Sequence, residues 1–450
     1  MKKIILSLAF VTMTTFTVKA QWEIVGTAGF TTAGVDHISL AINSNNEPYV
    51  AFRDGANVNK ASVMKFDGTN WVTVGNAGFS DGFAGFTSLT FNSNDEPYVV
   101  YRDVANGEKV TVKMYNGSNW VTVGNAGFSG GGGVVQQEAM DIAFNSNNEP
   151  YVTFTEYNAV SIVNKATVMK FDGTNWTTVG PAGIEFARSI SLAFNSNNEP
   201  YIAFRAGSYA NKASVMKYDG TDWVTVGTAG FSAAGADYLS LAFNSNDEPY
   251  IAYRDAGNAQ KATVKKFDGS NWVTVGTVGF SSGQVFYTSL AFNSNDEPYV
   301  AYRDLASSHK ASVMKFDGTN WINVGASGFS TGYADITSLA INSNNIPFVA
   351  FVDLTQLYKA TVMKFDDGAL GVANNYTEDD KIVVYPNPTS NTVNFSEQTN
   401  VLVTNGIGQI IATMSNVNTL DLSNHPTGIY FITLTDNNGQ IVQRSKVMKQ

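Results

Sequence analysis

A repeat of about 49 residues runs through most of this 450-residue chain and restricts what the chain can fold into. Its most regular marker is tryptophan, because the seven tryptophans are separated by 49, 49, 56, 47, 49 and 49 residues. One full copy, from Ser289 to Gly325, reads SLAFNSNDEPYVAYRDLASSHKASVMKFDGTNWINVG. The chain is too long for one ordinary core, so an array of repeats with a smaller additional domain is expected.

Each copy divides into four short β-type runs, which we name strands a, b, c and d. In the sixth copy these are predicted at Ser289–Asn293, Pro298–Asp304, Lys310–Asp317 and Asn320–Gly325. A turn rich in Asn, Ser and Asp separates strand a from strand b, and an Asp-Gly turn separates strand c from strand d. Four meandering antiparallel strands repeated at this period predict the blade of a β-propeller.

The number of copies predicts seven blades in a closed ring. The proline that opens strand b occurs seven times, but no tryptophan strand follows strand c of the seventh copy. A surplus tryptophan strand, Trp22–Gly26, precedes the first copy. We predict that it completes the last blade and latches the ring, which removes the exposed edges of the first and last blades. The tryptophans are then expected to serve packing rather than ligand stacking.

Composition narrows the classes of function. The net charge is −10 and lysine and arginine do not cluster, so nucleic acid is an unfavourable partner. No cysteine is present, which excludes disulfides, thiolate catalysis and cysteine-type zinc sites. The three histidines, His37, His309 and His425, stand in different settings and suggest no catalytic or metal-binding constellation. The sequence therefore predicts no enzymatic activity, metal or cofactor.

The first 20 residues are typical of a secretory signal peptide. Lys2 and Lys3 precede an apolar run over residues 4–18, and the segment 18–20, Val-Lys-Ala, suits cleavage before Gln21. The run is too short and too rich in threonine to be a good membrane span. We expect the mature protein to be extracytoplasmic, with no membrane span.

The repeat ends near Asp367, so the propeller is predicted over residues 21–367 and a linker over residues 368–381. A second all-β unit follows over residues 382–450, and its seven short β-type runs predict a small β-sandwich. These runs are Ile382–Tyr385, Thr392–Phe395, Val401–Thr404, Gln409–Thr413, Thr419–Leu422, Ile429–Thr435 and Gln440–Val447.

This C-terminal unit carries a set of motifs in a fixed order. They include Tyr385, Pro386, Asn387, Pro388, Gly408, Gly428, Tyr430, Lys446 and Lys449. With these residues the unit closely resembles the type A C-terminal sorting domain of type IX secretion cargo in the Bacteroidetes. The resemblance implies the type IX machinery as a partner, with export across the inner membrane by the signal peptide and across the outer membrane by that machinery. It also implies removal of the domain on arrival, after which the passenger is released or fixed to the cell surface.

Differences between the copies predict where a special site would lie. The a–b and c–d turns keep their length in all complete copies, and all length differences fall in the d–a and b–c loops. Those two loop types share one face, and copies three and four depart most from the pattern. We therefore predict a ligand site there, with drift in unconstrained loops as the alternative. The candidate residues are Tyr157, Glu185, Phe186, Arg188 and Arg205.

The same face carries a recurring charge group. Most copies end strand b with Arg-Asp, and every copy has a lysine at the start of strand c. Because six residues separate Asp from Lys in the regular copies, we predict cross-strand Asp–Lys ion pairs. In the alternative interpretation, the Arg/Asp groups and nearby loop aromatics bind a sugar or an anion. Those aromatics are Phe86, Tyr238, Phe286, Tyr287 and Tyr333.

These observations predict a secreted or surface-displayed binding protein, with polysaccharide or surface glycans as candidate ligands and a possible adhesive role. A protein-interaction scaffold without a small ligand is the first alternative. An extracellular glycan hydrolase or lyase is the second, although no activated nucleophile or isolated carboxylate pair stands out. The fold alone does not choose among them.

Overall fold

A computed structural model describes residues 21–130, 140–158, 163–184, 187–366, 382–405, 409–435 and 441–450. The described residues form two compact units, one ending at Asp366 and one over the C-terminal residues. The predicted signal peptide and the predicted linker at residues 368–381 lie outside the described residues.

The first unit contains seven four-stranded antiparallel sheets, each of which is one blade. The a strands are Val35–Ile42, Ala84–Phe91, Met140–Phe144, Ala187–Phe194, Ala236–Phe243, Val285–Phe292 and Ala334–Ile341. The b strands are Pro48–Asp54, Pro97–Asp103, Pro150–Asn158, Pro200–Ala206, Pro249–Asp255, Pro298–Asp304 and Pro347–Asp353. The c strands are Lys60–Phe66, Lys109–Tyr115, Val163–Phe171, Lys212–Tyr218, Lys261–Phe267, Lys310–Phe316 and Lys359–Asp366.

The d strands of the first six blades are short, and each consists of the tryptophan and the two residues that follow it. They are Trp71–Thr73, Trp120–Thr122, Trp176–Thr178, Trp223–Thr225, Trp272–Thr274 and Trp321–Asn323. Single 3-10 turns follow strand b in five blades, at Gly55–Asn57, Val104–Asn106, Gly207–Tyr209, Ala256–Asn258 and Leu354–Gln356.

The predicted latch is present. The strand Gln21–Ile24 pairs antiparallel with the c strand of the seventh blade, with Trp22 opposite Phe365. The ring is also closed at its inner strands, where the Leu40 backbone N–H donates to Ser338 Oγ at 3.0 Å. Seven blades closed by the N-terminal strand therefore confirm the prediction for this unit.

The tryptophans hold neighbouring blades together, as predicted. Each Nε1 donates to a valine carbonyl of the preceding blade at 2.7–2.8 Å. Six of the seven indoles also stack on a phenylalanine at 3.9–4.4 Å between ring centroids. Because five of the indoles are at most 9% exposed, they contribute to the core between blades rather than to a ligand surface.

Strand a differs from the prediction because it begins earlier. In the sixth blade it starts at Val285, four residues before the predicted start. The pairing register with strand b shifts between Phe286 and Ser289, which defines a β-bulge. Tyr287 lies within the bulge in the left-handed region, with φ 53°. Since a tyrosine rarely adopts that conformation, the sequence pattern could not reveal the bulge.

The C-terminal unit has five strands rather than the predicted seven. They are Val384–Tyr385, Thr392–Asn405, Ile410–Asp421, Gly428–Thr435 and Ile441–Lys449, joined in a single hydrogen-bonded sheet. Two pairs of predicted short strands are continuous, because Thr392–Asn405 and Ile410–Asp421 run past polar residues that resemble turns. Register shifts in the pairing of these two strands mark the places where turns were predicted.

Candidate functional site

The d–a and b–c loops of the propeller form one face, which we call the loop face; the a–b and c–d turns form the opposite turn face. All six arginines of the propeller lie at the loop-face ends of strands a and b. They are Arg53, Arg102, Arg188, Arg205, Arg254 and Arg303. In a chain with a net charge of −10, this placement concentrates guanidinium groups on one face.

Blades four to seven bring several of these arginines together with aromatic rings, in a group that we call the loop-face cluster. Its members are Arg205, Asp237, Tyr238, Arg254, Phe286, Tyr287, Arg303, Tyr333 and Asp335. The side chains come from strands a and b of neighbouring blades and, for Tyr333, from the residue just before strand a, so the closed ring fixes their spacing.

Shared carboxylates hold the arginines of the cluster. Asp237 accepts hydrogen bonds from Arg205 Nη1 and from Arg254 Nη2, the latter at 2.7 Å. Arg303 Nη1 donates to Asp335 and, at 2.8 Å, to the Tyr333 hydroxyl. Three guanidinium groups therefore share two carboxylates. The Nε atoms of Arg205 and Arg303 are buried beneath the cluster and have no hydrogen-bond partner.

Aromatic rings enclose the same guanidinium groups. The guanidinium carbon of Arg303 lies 4.2 Å from the ring centroid of Phe286 and 5.2 Å from that of Tyr333. Arg254 lies 5.0 Å from the Tyr238 ring and 4.9 Å from the Phe286 ring. These are cation–π distances, and the rings remain partly exposed. The cluster therefore offers aromatic surface and charged donors side by side.

The bulge in strand a places two of these tyrosines at the central channel. Tyr238 and Tyr287 each adopt φ 53° and line an axial cavity of about 260 Å³ together with the inner strands of all seven blades. In five blades the matching serine Oγ accepts the N–H of a leucine in the next blade. The third blade has Asp141 instead, and burial raises the pKa of that carboxyl although Ser88 and two backbone N–H groups donate to it.

The predicted Asp–Lys ion pairs are wrong, although the two residues do stand opposite each other in the strands. Asp54 faces Lys60 in the register, yet no ion pair of this kind is found in the described blades. Asp54 accepts from Ser62 Oγ at 2.7 Å and from the Ala56 N–H at 2.9 Å instead. The carboxylate is buried beside the first turn of the b–c loop, where free N–H groups need an acceptor.

The five candidate residues in copies three and four are only partly described. Glu185 and Phe186 lie outside the described residues, and Tyr157 lies in a b strand opposite Asn164. Arg188 and Arg205 face each other across strands a and b of the fourth blade. Arg205 is thus the one candidate that belongs to the loop-face cluster, and a special site in copies three and four stays a prediction.

Copy three carries a second departure from the pattern. Glu156 stands where most other blades have the buried aspartate, and its buried Oε1 atom has no hydrogen-bond partner. Burial raises the pKa of Glu156 to about 7, and the positive charge of Lys109 only partly opposes that effect. At pH 7 the group is therefore about half protonated in the folded protein, whereas an ordinary glutamate is ionised.

This raised pKa predicts a pH-dependent effect of Glu156→Gln. Between the ordinary pKa and about 7, the unfolded chain releases a proton that the folded chain retains, so the glutamate destabilises the fold as pH rises. We expect the Gln variant to be more stable than the wild type at pH 8, with the difference vanishing near pH 4. Chemical unfolding at the two pH values measures it.

Glu199→Gln is the matched control, since the hydrogen bond from Lys217 lowers the pKa of Glu199. Its stabilising contribution is present above the ordinary pKa and is lost as pH falls, so this variant should be less stable than the wild type at pH 8 only. The same pH dependence for both variants would contradict the assignment of Glu156.

The C-terminal unit brings the two ends of its motif set together. Asn387 Oδ1 accepts the Met448 N–H at 3.0 Å, and the Thr389 N–H donates to the Met448 carbonyl at 2.8 Å. Lys449 is buried, and its Nζ donates to the carbonyls of Leu422 and His425 at 2.8 and 2.6 Å. The start of the unit and its basic end therefore form one connected structure.

The remaining motif residues have separate positions. The Tyr430 side chain is 4% exposed and its hydroxyl donates to the Pro426 carbonyl at 2.5 Å. Gly428 opens the fourth strand with φ 152°, and Lys446 lies in the fifth strand opposite Phe431. Gly408 lies outside the described residues.

A family comparison identifies this unit. Residues 383–449 match the model of the secretion system C-terminal sorting domain. The C-terminal unit is a type IX sorting domain. This result confirms the resemblance seen in the sequence, indicates that the protein is exported, and implies the type IX machinery as a partner. Among the described residues, every helix is too short to cross a membrane.

Comparison with solved structures supports the propeller fold. A polysaccharide lyase of family PL25, an ulvan lyase, matches with TM-score 0.51 and 12% identity, over 74% of this chain and 94% of its own. The extracellular domain of a hybrid two-component system from B. thetaiotaomicron matches with TM-score 0.50 and 8% identity, over 96% of this chain and 57% of its own. At these identities the matches show the fold alone. No curated protein matches the sequence.

Proposed function

We propose that the protein is an extracellular binding protein that recognises acidic polysaccharide at the loop face. The observation that carries this proposal is the composition of the loop-face cluster, where three arginines share two carboxylates among partly exposed aromatic rings. Three guanidinium groups against two carboxylates leave an excess of positive charge, which favours carboxylate or sulfate groups. The aromatic rings offer flat apolar surface for the C–H faces of sugar rings.

The axial cavity beside the cluster favours a glycan over a protein partner. Tyr and Arg are also typical of protein interfaces, but such interfaces are usually broad and nearly flat. Here two of the aromatic residues, Tyr238 and Tyr287, line a cavity of about 260 Å³ on the propeller axis. A cavity of this size admits a sugar-sized group and not a protein surface.

Export fits the same proposal. The signal peptide at residues 1–20 is proposed to direct the chain across the inner membrane, and the sorting domain directs the second step. We further propose that the sorting domain is removed on arrival, so that the propeller acts as a released or surface-attached protein. In that location the propeller is exposed to acidic polysaccharides in the medium and on cell surfaces.

Binding to charged and uncharged polymers tests the proposal. The mature chain should bind polygalacturonate and ulvan, with affinity that decreases as salt is added, and should not bind dextran. Ulvan is included because the ulvan lyase of similar fold is bound to -[GlcA(1-4)Rha3S]-. Arg205→Gln should weaken binding roughly tenfold or more, as expected for the loss of a charged hydrogen bond. We expect the polymers to keep their length, because binding without cleavage is proposed.

Arg102→Gln is the matched control. Arg102 occupies the same place in strand b of the second blade, stacks on Phe86 at 5.3 Å and lies outside the loop-face cluster. It loses the same charge, so a general electrostatic effect would weaken both variants equally. Equal binding of dextran and the acidic polymers, or unchanged binding by Arg205→Gln, would contradict the proposed function.

A further inference from the structure

Clefts between neighbouring blades open on the turn face, opposite the loop-face cluster. One between blades one and two has a volume of about 560 Å³, and one between blades four and five about 480 Å³. Both lie in the range of roughly 300–1,000 Å³ that is usual for small-ligand sites. The same repeat positions line both clefts, with Tyr and Lys from one blade and Glu, Pro and Gly from the next.

The charged groups of a cleft are fixed before any ligand arrives. Between blades four and five, Lys217 Nζ donates to Glu199 at 2.8 Å and lies 5.9 Å from the centroid of the Tyr201 ring. Across the cleft, Glu248 accepts from Lys266 at 2.7 Å and from Asn244 at 2.6 Å. Since these lysine and glutamate side chains are about 30% exposed, ordered donors and acceptors face solvent.

Backbone contacts hold the walls of the clefts together. The Ser196 N–H donates to Asp247 of the next blade at 2.8 Å, and all seven junctions have an equivalent bond at 2.7–2.9 Å. Gly227 has φ 69°, and a Cβ there would meet the Phe267 ring at 2.8 Å. A glycine at this position therefore lets the partly exposed ring of Phe267 form one wall of the cleft.

The set of Tyr, Lys and Glu is complete at four of the seven junctions. The complete sets are Tyr49, Lys65 and Glu96; Tyr151, Lys170 and Glu199; Tyr201, Lys217 and Glu248; and Tyr250, Lys266 and Glu297. Each remaining junction lacks a different member. Met114 replaces Lys between blades two and three, Ile346 replaces Glu between blades six and seven, and Phe348 replaces Tyr between blades seven and one.

These three replacements show that the set is not required for the fold. Tyr98 pairs with Met114, and Phe348 pairs with Lys364, in the same register that Tyr201 and Lys217 adopt. Exposed ion pairs also contribute little to stability, typically about 0–1 kcal/mol. The tyrosines are buried and packed edge-on against a phenylalanine of the next blade, so core packing explains them. The partly exposed Lys and Glu of the complete sets are the groups that a ligand explains better than strand pairing does.

The charge of the turn face selects the class of ligand. In each of blades one to six, the turn-face ends and turns carry two or three acidic residues and one lysine at most, except for Lys265 and Lys266 in blade five, so acidic residues predominate and an anionic ligand is repelled. Hydroxyl groups can accept from a lysine ammonium and donate to a glutamate carboxylate, and a sugar ring can lie against the aromatic wall. We propose that the four complete clefts are equivalent binding sites for neutral sugar residues.

This arrangement makes the turn face a multivalent surface that is independent of the loop-face cluster. Four weak sites on one rigid ring can bind one branched or repeating neutral glycan with an avidity well above that of a single site. Four-site binding of a neutral sugar would stand even if acidic polysaccharides failed to bind the loop face.

Counting bound sugars tests the inference. Native mass spectrometry of the mature chain with maltotriose, cellotriose and mannotriose should show four bound molecules of at least one probe at saturation, one for each complete set. Lys65→Met makes the first cleft equivalent to the natural one at Met114, and Glu96→Ile makes it equivalent to the one at Ile346. Each variant should bind three, and both should keep the wild-type melting temperature.

These two positions affect no other complete cleft. Lys65 pairs with Glu47, whose junction already lacks its tyrosine, and Glu96 shares its blade with Met114 instead of a lysine. Lys364→Met, at the incomplete junction between blades seven and one, is the matched control and should still bind four sugar molecules. Arg205→Gln on the loop face should also bind four. The inference is overturned if no neutral probe binds, if Lys65→Met still binds four, or if Lys364→Met loses a site as well.

Discussion

Trp22→Ala is expected to lower the free energy of unfolding of the propeller by about 3–5 kcal/mol, the usual cost of replacing a buried tryptophan with alanine. The indole is 8% exposed and stacks on Phe329 at 3.9 Å between centroids. Its Nε1 donates to the Val324 carbonyl at 2.8 Å, so the substitution also leaves a buried acceptor without its donor. Because Trp22 joins blade six to the last blade, its loss weakens the closure of the ring. Chemical unfolding of the mature chain measures the effect.

Ile24→Ala is the control in the same strand. Ile24 is 41% exposed and stands opposite Met363 in the strand pairing. A surface substitution of this kind should change the free energy of unfolding by roughly 0.5 kcal/mol or less. If Trp22→Ala were as stable as Ile24→Ala, the latch would not contribute to the stability of the ring.

Deletion of residues 382–450 is expected to reduce the extracellular protein at least tenfold in a host that carries the type IX machinery, and to leave the propeller in the periplasm. The reason is that the deleted segment is the sorting domain, which the machinery recognises. Immunodetection of the propeller in culture medium, on the cell surface and in periplasmic extract measures the distribution.

The folding of the truncated protein provides the control for this deletion. The propeller is a separate compact unit, and its last blade is completed by Gln21–Ile24 rather than by any C-terminal residue. The periplasmic protein should therefore keep the melting temperature of the propeller. Extracellular amounts equal to those of the full chain would contradict the role assigned to the sorting domain.

The ring was predictable because its signals are local and recur. Each proline at the start of strand b and each Asp-Gly turn marks a blade by itself, so counting them gives seven blades without any long-range information. The latch follows from the same count, because one tryptophan strand is left over at the start and one is missing at the end. The sorting domain was recognised from the order of its motifs. Its strand boundaries were not predicted correctly, because the two long bulged strands contain polar residues that resemble turns.

The candidate sites were less predictable because they combine residues from neighbouring blades. Arg205 and Arg254 come from adjacent copies and meet at Asp237, and nothing in either copy indicates the shared carboxylate. Likewise, Lys217 and Glu248 line one cleft, although Lys217 forms its ion pair with Glu199 inside its own blade. The loop aromatics were recognised as one interpretation of the sequence. Their grouping in blades five to seven required the register of the bulged a strands.

The latch also sets an order of events in time. Gln21–Ile24, at the start of the propeller, pairs with residues 363–366 at its end, so the ring cannot close until the whole array has been exported. A chain that emerges from its N-terminus must hold this first strand unpaired while seven blades accumulate. Pairing over so large a sequence separation is slow, and the open edges of the first and last blades can meanwhile pair with other chains. Closure is thus expected to be the step at which the exported chain becomes resistant to aggregation and proteolysis.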